Sequence, residues 1–287
     1  MIYIVIPSFN EKNFIISLLD DLSHQTYKKY KIIISDNGSN DGTVEFIKKN
    51  KDIFLIENNQ NFWWTKSTNA GIRYALGYAN KNDYVLTLNC DLSIENNYLE
   101  NIVSSAKMNK DSIIGSLNID IDSKKIFFGG VLVNEITAKY YNINYDKKIS
   151  TNQFSNEYVT HFLPGRGTLI PIKVFKKIGL YYEKLPHYGS DFEFAYRARK
   201  NRYNLIVSYD SKVFSFTKNT GLNNSINTMS LKDYLGSFFN IKSPSNLYYR
   251  AIFIYKCFPR RYFIIHLLFD FIRNFGGSLL RQLGIKS

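Results

Sequence analysis

Short apolar runs alternate with longer amphipathic stretches along the first 117 residues. The apolar runs are rich in Ile, Val and Leu on both faces, which is the pattern of strands buried in a parallel sheet. They cover residues 2–7, 30–35, 53–57, 84–89 and 112–117. The stretches between them carry apolar side chains at helical spacing, at residues 11–24, 41–50, 66–80 and 95–107. This alternation predicts an α/β fold with a doubly wound, mostly parallel sheet.

The rhythm changes after residue 118, where short strand-like runs replace the regular alternation. The predicted strands of this part cover residues 125–133, 138–143, 158–163, 167–171, 204–209 and 212–216, and its predicted helices cover 172–178 and 189–200. Residues 228–275 have a helical pattern with breaks near Pro244 and Pro259. We therefore divide the chain into segments 1–117, 118–222 and 223–287, of which the second is a mixed extension and the third a helical tail.

The cysteine content and the first residues bear on the compartment of the protein. Among 287 residues there are two cysteines, Cys90 and Cys257, so neither a disulfide framework nor a paired-cysteine metal site is expected. The sequence starts directly with a strand pattern and shows no signal-peptide pattern. Its longest late apolar runs fall short of the ~18 residues of a membrane-spanning helix. These features predict a cytoplasmic protein.

The net charge of +13 is concentrated in the tail. From residue 241 onward, bases alternate with Phe, Tyr, Ile and Leu, and the only acid is Asp270. The bases are Lys242, Arg250, Lys256, Arg260, Arg261, Arg273, Arg281 and Lys286. This pattern favours peripheral contact with anionic lipid at the inner face of the cytoplasmic membrane, and the alternative is a helical cap with solvated bases. Nucleic-acid binding is not expected, because the tail has no groove-reading motif.

Polar motifs follow three of the predicted strands: "IPSFNE" (6–11), "SDNGSNDGT" (35–43) and "LTLNCD" (86–91). Ligands of open α/β sheets bind at the carboxyl ends of the strands. Asp36 stands where a carboxylate can accept hydrogen bonds from a ribose or a base, but an ordinary Asx-turn explains it equally well. Strand alternation points Asn89 and Asp91 to one side and Cys90 to the other, so Cys90 is expected to serve packing.

Taken in order with "NFWWTKSTNAGIRYAL" (61–76), these motifs resemble the nucleotide-sugar half of family 2 glycosyltransferases, which have the GT-A fold. Residues 165–207 resemble the acceptor half, in which a strand of small residues leads to a helix that carries the catalytic acid. The resemblance covers roughly residues 2–220 and is greatest to rhamnosyltransferase-like bacterial members that build surface polysaccharides. It implies that segment 1–117 binds the nucleotide-sugar and segment 118–222 binds the acceptor.

The resemblance also implies roles for individual residues. Pro7, Phe9 and Glu11 would line the nucleotide site, and Asp36 would hold the base. Asp91 matches the second aspartate of the Asp-X-Asp metal motif, and Asp191 matches the general base.

This chemistry explains the residue types. A divalent cation, Mg²⁺ or Mn²⁺, bound through few protein carboxylates stabilises the charge that develops on the leaving diphosphate. A carboxylate on the opposite face takes the proton of the acceptor hydroxyl as it attacks. A single displacement inverts the anomeric centre.

The sequence departs from the family pattern at three places. Asn89 stands where the first aspartate of Asp-X-Asp is expected, and Ser190 replaces the acid that usually precedes the base. Removal of that like charge leads us to expect that Asp191 stays readily ionised. The histidine that follows the last strand in many relatives is missing, so Thr217, Lys218 or Thr220 would have to serve. These departures leave the strength of metal dependence open.

Five more residues are candidates for the site. Trp64, with the adjacent Trp63, offers an apolar wall for a sugar face, and Lys66 adds charge to a helix N-terminus that is expected near residue 65. Arg166 can reach the donor phosphate or the acceptor, and His187 and Tyr188 precede the Asp191 helix and can border the acceptor. Each of them also has a purely structural interpretation, in which it packs beneath a loop or in the core.

The sequence thus predicts an inverting glycosyltransferase. The donor would be a UDP- or dTDP-sugar, and the acceptor a hydroxyl of a growing envelope glycan, on a lipid carrier. One alternative is a catalytically impaired glycan- or nucleotide-binding relative, signalled by Asn89 and Ser190. The other is a sugar nucleotidyltransferase, which is disfavoured because "PSFNEKNF" lacks a Gly-rich basic loop after the first strand.

Overall fold

The computed structural model describes residues 1–149, 153–216 and 231–282. Its strands are β1 (Ile2–Ser8), β2 (Tyr30–Asp36), β3 (Ile53–Glu57), β4 (Tyr84–Thr87), β5 (Leu92–Ile94), β6 (Ile113–Asp120), β7 (Ile126–Phe128), β8 (Val131–Asn134), β9 (Lys139–Asn142), β10 (Glu157–Val159), β11 (Thr168–Pro171) and β12 (Leu205–Ser215). Its α-helices are α1 (Lys12–Ser23), α2 (Thr43–Lys48), α3 (Trp64–Tyr78), α4 (Tyr98–Met108), α5 (Ile172–Ile178), α6 (Ser190–Lys200), α7 (Leu231–Ser237), α8 (Leu247–Cys257) and α9 (Phe263–Gln282).

A single large sheet runs through the protein in the order β10-β12-β6-β11-β4-β1-β2-β3, with β5 paired to β12 and β7 to β6. The strands β4, β1, β2 and β3 are parallel to one another, and β6 is parallel to β12. Strand β11 is antiparallel to both of its neighbours, β4 and β6. The predicted doubly wound, mostly parallel α/β sheet with a mixed extension is therefore confirmed.

Helices cover both faces of this sheet because each buries one apolar stripe against it. On one face, α1, α2 and α4 contribute Ile15, Ile47 and Leu99, among others, to the core. On the other face, α3, α5 and α6 contribute side chains that include Ile72, Phe175 and Phe194. The fully apolar strands predicted from the sequence lie between these two layers.

Several element boundaries differ from the predicted ones. Strand β4 ends at Thr87 instead of residue 89, and the turn after it leads into β5, an unpredicted strand that pairs with β12. The run predicted as one strand over 125–133 is split into β7 and β8. A Cβ at Gly129 would come within 2.6 Å of the Ile143 carbonyl, and Gly130 has a φ of +116°. Extended backbone cannot continue through this pair of glycines.

Two predicted strands, 204–209 and 212–216, form the single strand β12, which changes register between Ser208 and Lys212. The polar residues at this bulge look like a loop in the sequence, but β6 pairs with β12 on both sides of it. Strand β10 (Glu157–Val159) begins one residue before the predicted run 158–163 and ends after its first two residues.

The helical tail packs on the second segment. Helix α8 starts after Pro244, and a single 3-10 turn (Arg260–Tyr262) follows Pro259, so both predicted breaks are confirmed. Phe253 of α8 lies against Gly189, directly before α6, and Cys257 and Phe258 join a small core with Phe162 and Tyr196. Within the ranges described above, no helix is both long and apolar enough to cross a membrane.

Candidate active site

The carboxyl ends of β1, β2 and β4 meet at one edge of the sheet because these three strands are parallel neighbours. Ser8 is in register with Asp36, and the Leu88 N–H donates to the Val5 carbonyl at 3.0 Å just after β4. The three polar motifs of the sequence therefore lie side by side. This edge is where open α/β sheets bind their ligands.

Asp36 closes a tight turn at this edge and is fully buried. Its Oδ1 accepts the backbone N–H groups of Gly38 (3.0 Å) and Ser39 (2.8 Å), and its Oδ2 accepts the Ser39 hydroxyl at 2.6 Å. Gly38 has a φ of +78°, which favours glycine in this turn. The Asx-turn alternative is thus realised. A carboxylate has about four lone-pair sites, so one acceptor direction stays available for a ligand.

Glu11 and Asp91 form a pair of carboxylates between β1 and the turn after β4. Burial, and next the negative charge of Asp91, raise the pKa of Glu11 to about 7. Cys90 lies between the two motifs, and its thiol donates to the Pro7 carbonyl at 3.1 Å. Burial raises the pKa of the Cys90 thiol, so it is an inert packing residue, as predicted.

Trp64 connects this carboxylate edge to the opposite wall of the site. Its indole N–H donates to Asn89 Oδ1 at 2.9 Å, and its ring lies 5.4 Å from the ring of Tyr181. A Cβ placed on Gly165 would come within 2.1 Å of Trp64 Cζ2. The indole therefore fits against a position where only glycine leaves room. Because the hydrogen bond takes up the Asn89 carbonyl oxygen, the amide N–H₂ group is the polar end left to meet a ligand.

Asp191 lies on that opposite wall, in the first turn of α6. Its Oδ2 accepts the Gly165 N–H at 2.9 Å, and its Oδ1 accepts the Phe192 N–H at 2.8 Å. Burial raises the pKa of this carboxyl, while the two N–H groups and the charge of Arg166 oppose the rise. Burial thus opposes the ready ionisation that the sequence led us to expect of Asp191, because desolvation favours the neutral carboxyl.

Ser190 has a structural reason for replacing an acid. It is buried, and its hydroxyl lies 2.7 Å from the hydroxyl of Thr65, which donates to the Leu185 carbonyl at 2.5 Å. The Thr65 N–H donates to the Pro186 carbonyl at 3.0 Å. A buried carboxylate at position 190 would have faced these oxygens. The loop before α6 is thereby fixed to the start of α3, which begins at Trp64, slightly earlier than predicted.

Glu193, two positions after Asp191, has a structural partner. Its carboxylate forms two hydrogen bonds of 2.9 Å with Arg197, one turn later on α6. Arg197 also donates to the Leu180 carbonyl at 2.8 Å. This pair holds the loop before α6 without entering the site.

Arg166 lies near Asp191, and His187 stands in the loop that leads to it. The Arg166 guanidinium lies over the ring of Phe127 and has a buried Nη1 without a hydrogen-bond partner in the described parts of the chain. Burial, and next the charge of Lys242, lower the pKa of His187 to about 4, so the imidazole is neutral near pH 7. Its ring is 4.5 Å from that of Tyr188, whose pKa is raised by burial and lowered slightly by Arg166.

Trp63 and Lys242 border the same region. The ring of Trp63 lies 5.6 Å from that of His187, and the Lys242 ammonium lies 6.0 Å above Trp63. Trp63 was considered with Trp64 as a wall for a sugar face, on the signal of the doubled tryptophan. Lys242 was not a sequence candidate for the site, because nothing in the sequence links it to Trp63.

The remaining candidates lie in different surroundings. Pro7 is buried within β1, and the Phe9 ring is exposed just after it. Lys66 is exposed, with its ammonium 5.7 Å from the ring of Phe62, and its charge acts on Glu183. The three candidates for the missing histidine, Thr217, Lys218 and Thr220, lie outside the described residues.

The carboxylates present fit a cation that is shared with a substrate. In the ranges that the structure covers, no cluster of three or more His, Cys, Asp or Glu side chains is arranged to hold a metal ion. Glu11 and Asp91 form a pair, and their mutual repulsion is visible in the raised pKa of Glu11. Mg²⁺ and Mn²⁺ commonly bind through one or two carboxylates, with phosphates and water as the other ligands. The carboxylate pair of Glu11 and Asp91 suits that arrangement.

Comparisons with known proteins agree with this geometry. Residues 3–179 match the sequence profile described as "Glycosyl transferase family 2". The chain is 24% identical over 194 residues to "Glycosyltransferase GlyA" of Streptococcus pneumoniae, a match that covers 66% of this chain and 27% of GlyA. The chain spans about a quarter to just over half of the length of the first three curated relatives it matches.

Two solved structures share the fold at low sequence identity. The mannosyltransferase PcManGT from Pyrobaculum calidifontis, in complex with GDP-Man and Mn²⁺, has a TM-score of 0.58 at 14% identity, over 100% of this chain and 76% of its own. GalNAc-T7 with UDP, GalNAc and Mn²⁺ has a TM-score of 0.61 at 15% identity, over 95% of this chain and 57% of its own. The resemblance noted in the sequence, the fold and the profile match over more than half of the chain agree: this protein belongs to glycosyl transferase family 2.

Proposed function

We propose that the protein transfers a sugar from a nucleoside-diphosphate donor to a hydroxyl of a growing glycan, with inversion at the anomeric centre. The observation that carries the proposal is the position of Trp64. Its N–H binds Asn89 at the donor edge, and its ring rests on Gly165, whose N–H binds Asp191. Asp191, which can serve as the general base, is thus separated from the edge that would hold the donor by about the width of the Trp64 indole.

The donor is a UDP- or dTDP-sugar, bound at the ends of β1, β2 and β4. Asp36 holds the base or ribose through its remaining acceptor direction, and Pro7, Phe9 and Glu11 form the adjoining wall. The neighbours that carry UDP or GDP-Man together with Mn²⁺ support a nucleotide-sugar donor. Asp91, with Glu11 beside it, would hold a Mg²⁺ or Mn²⁺ ion, which when bound stabilises the charge on the leaving diphosphate.

Asn89 has a different task from the aspartate that it replaces. Since its oxygen accepts from Trp64, its N–H₂ group donates to an oxygen of the donor sugar or diphosphate. Lys66 and Arg166 add positive charge around the diphosphate, and the unpartnered Nη1 of Arg166 is available for a hydrogen bond to an anionic oxygen.

The base is Asp191. Two backbone N–H groups fix its carboxylate, so that a free lone pair can receive the proton of the acceptor hydroxyl as that oxygen attacks the anomeric carbon. The raised pKa strengthens it as a base, because a more basic carboxylate takes the proton more readily while it is ionised. His187 and Tyr188 border the acceptor, and the neutral imidazole offers one donor and one acceptor to sugar hydroxyls.

The acceptor is a lipid-linked envelope glycan, and the sugar is a hexose of the kind moved by rhamnosyltransferase-like bacterial enzymes. This part of the proposal rests on the sequence resemblance and on the basic aromatic tail, which we expect to lie against the inner face of the cytoplasmic membrane.

The substitution Asp191→Asn tests the proposal, with Glu193→Gln as the matched control on the same helix. The first change removes the base, and sugar transfer or donor hydrolysis should fall by about 10²–10⁴-fold, while donor affinity in calorimetry stays within a few-fold. The second change weakens only the pair with Arg197 and should leave turnover within about twofold.

Turnover by Asp191→Asn equal to that of the unmodified protein would exclude this base. Absence of turnover in the unmodified protein with a panel of UDP- and dTDP-sugars, despite nucleotide binding, would instead favour a catalytically impaired binding relative.

A further inference from the structure

Helix α9 exposes apolar side chains on its outer side, where Ile264, Leu268 and Ile272 are 78%, 56% and 53% exposed. Its inner side packs Phe263 and Leu267 on the small core around Phe162 and also holds two polar side chains. Asp270 is buried and forms a bidentate ion pair with Arg250 of α8. His266 is fully buried and donates from Nε2 to the Ile136 carbonyl at 2.7 Å. A helix that faces water on its outer side carries polar side chains there, whereas α9 exposes apolar ones.

The exposed apolar side chains form a continuous stripe. Ile264, Leu268 and Ile272 follow one another at intervals of four residues, so they lie on one face of the helix. Ile265 and Phe269, which are also exposed, widen the stripe by one row. Scattered apolar residues on a surface are ordinary, but a contiguous apolar face of this length marks an interaction site. We call these five residues the α9 face.

Positive charge borders the α9 face. Arg260 and Arg261 are exposed in the turn before the helix, where their guanidinium groups lie 4.9 Å and 4.8 Å from the rings of Tyr255 and Tyr262. Lys256, just before this turn, is also exposed. From residue 241 to the end of the sequence, the only acid is Asp270, which is held inside by Arg250. The apolar face thus has a cationic border.

We propose that the α9 face binds the surface of an anionic bilayer, with its apolar side chains among the acyl chains and the bordering bases on lipid phosphates. Charge complementarity selects this occupant: a second copy of the chain would bring its own bases against these bases, whereas anionic headgroups neutralise them. An acidic polyanion in water would satisfy the charges but leave the stripe exposed.

A chain of contacts links α9 to the candidate active site. Helix α9 packs on α8 and, through His266 and Arg273, on the hairpin that β8 and β9 form. Helix α8 packs on α6, and its Phe253 lies against Gly189, next to the Asp191 turn. A membrane-bound α9 would therefore be connected to the Asp191 turn through α8. Binding itself needs no sugar transfer, so the test below stands apart from that of the proposed reaction.

The test measures partition of the full chain onto vesicles by flotation, without donor or acceptor. Vesicles of phosphatidylglycerol mixed with phosphatidylcholine are compared with vesicles of phosphatidylcholine alone. Ile264→Ser/Leu268→Ser removes part of the stripe, and Arg260→Gln/Arg261→Gln removes border charge. Met108→Ser/Val159→Ser is the matched control, because these exposed apolar residues lie on α4 and β10.

The unmodified chain should bind the anionic vesicles more tightly than the neutral ones. The stripe variant should lose at least about tenfold in partition on the anionic vesicles. The charge variant should lose about tenfold on anionic vesicles alone, with less loss at high salt. The control should partition like the unmodified chain. Circular dichroism and donor hydrolysis, unchanged in all variants, would show that the fold is retained.

Two results would overturn the proposal. One is a stripe variant that partitions like the unmodified chain. The other is an unmodified chain that fails to bind anionic vesicles and instead sediments as a dimer which the stripe variant dissociates, because the α9 face would then belong to a second copy.

Discussion

The contact between Gly165 and Trp64 leads to a specific prediction about Asp191, the proposed general base. Gly165 has no positive φ, so alanine is allowed by its backbone, and the obstacle is steric. The added Cβ would lie 2.1 Å and 2.3 Å from two indole carbons, whereas ordinary contacts begin near 3.4 Å. Either the indole or the Gly165 backbone must move by about 1 Å.

The expected effect of Gly165→Ala on stability and on kcat follows from the packing of the indole and from the hydrogen bond between the Gly165 N–H and Asp191. Overpacking costs about 1–3 kcal/mol. A shift of the Gly165 N–H from its 2.9 Å contact weakens a hydrogen bond to the Asp191 carboxylate, a bond of a class worth about 1.5–3 kcal/mol. If one to two thirds of that loss falls on the transition state, kcat drops by about 2–30-fold. Loss of a donor that favours the ionised form also raises the pKa of Asp191 further, so the acid limb of the pH profile moves to higher pH.

The assay is a double-mutant cycle on kcat with Trp64→Phe, which lacks the second ring of the indole. Trp64→Phe alone loses the hydrogen bond to Asn89 and should cost about 1 kcal/mol. In the double variant the smaller Phe side chain leaves space for the alanine Cβ, so the two effects on kcat should fall short of additivity by about 1–2 kcal/mol. Gly77→Ala, on the same helix as Trp64 and with nothing within 4 Å of its added Cβ, is the control. Additive effects, or a Gly165→Ala enzyme with normal kcat and pH profile, would refute the reasoning.

Two further predictions concern stability. Because the folded-state pKa of Glu11 is about 7 against an ordinary 4.5, its protonated form stabilises the fold below pH 4.5 and this contribution is lost as pH rises to 7. Glu11→Gln should therefore raise the free energy of unfolding at pH 8 by up to ~3 kcal/mol and change it little at pH 4, as measured by urea denaturation; a gain that is equal at both pH values would contradict the assigned pKa. Arg250→Met should lower the free energy of unfolding by about 3–5 kcal/mol, because Asp270 is left buried without this partner, whereas Arg250→Met/Asp270→Leu should recover most of the loss in thermal melts. No recovery in the double variant would mean that the ion pair is not the source of the loss.

The strands of the sheet and the position of Asp36 and Asp91 at its edge could be predicted because the signals are local. A run such as 2–7 is apolar at every position, and the residues directly after such a run must lie at the carboxyl end of the strand. The same locality explains why the breaks at Pro244 and Pro259 were found.

The contacts that shape the site join residues distant in sequence, and no periodicity encodes them. Trp64 and Asn89 are 25 positions apart, Gly165 and Asp191 are 26 apart, and the Thr65 hydroxyl meets the Ser190 hydroxyl across 125 positions. Ser190 looked like a lost acid for that reason, since its partner was not visible in the sequence. The rise in the pKa of Asp191 was likewise not foreseen, because charge was counted along the chain and burial was unknown.

The place of β11 in the sheet has a consequence for the order in which the protein folds. Strands β4 and β6 arrive early from the ribosome, yet β11, which fills the gap between them, is completed only with Pro171. Until then, β4 and β6 each have an unpaired edge close to the proposed donor site. Unpaired edges are prone to pair with other chains. A nascent chain that has reached residue 117 therefore carries the strand-end motifs of the proposed donor side but cannot hold them in a finished sheet. Segment 1–117 and segment 118–222, which have different predicted tasks, therefore complete the sheet only together.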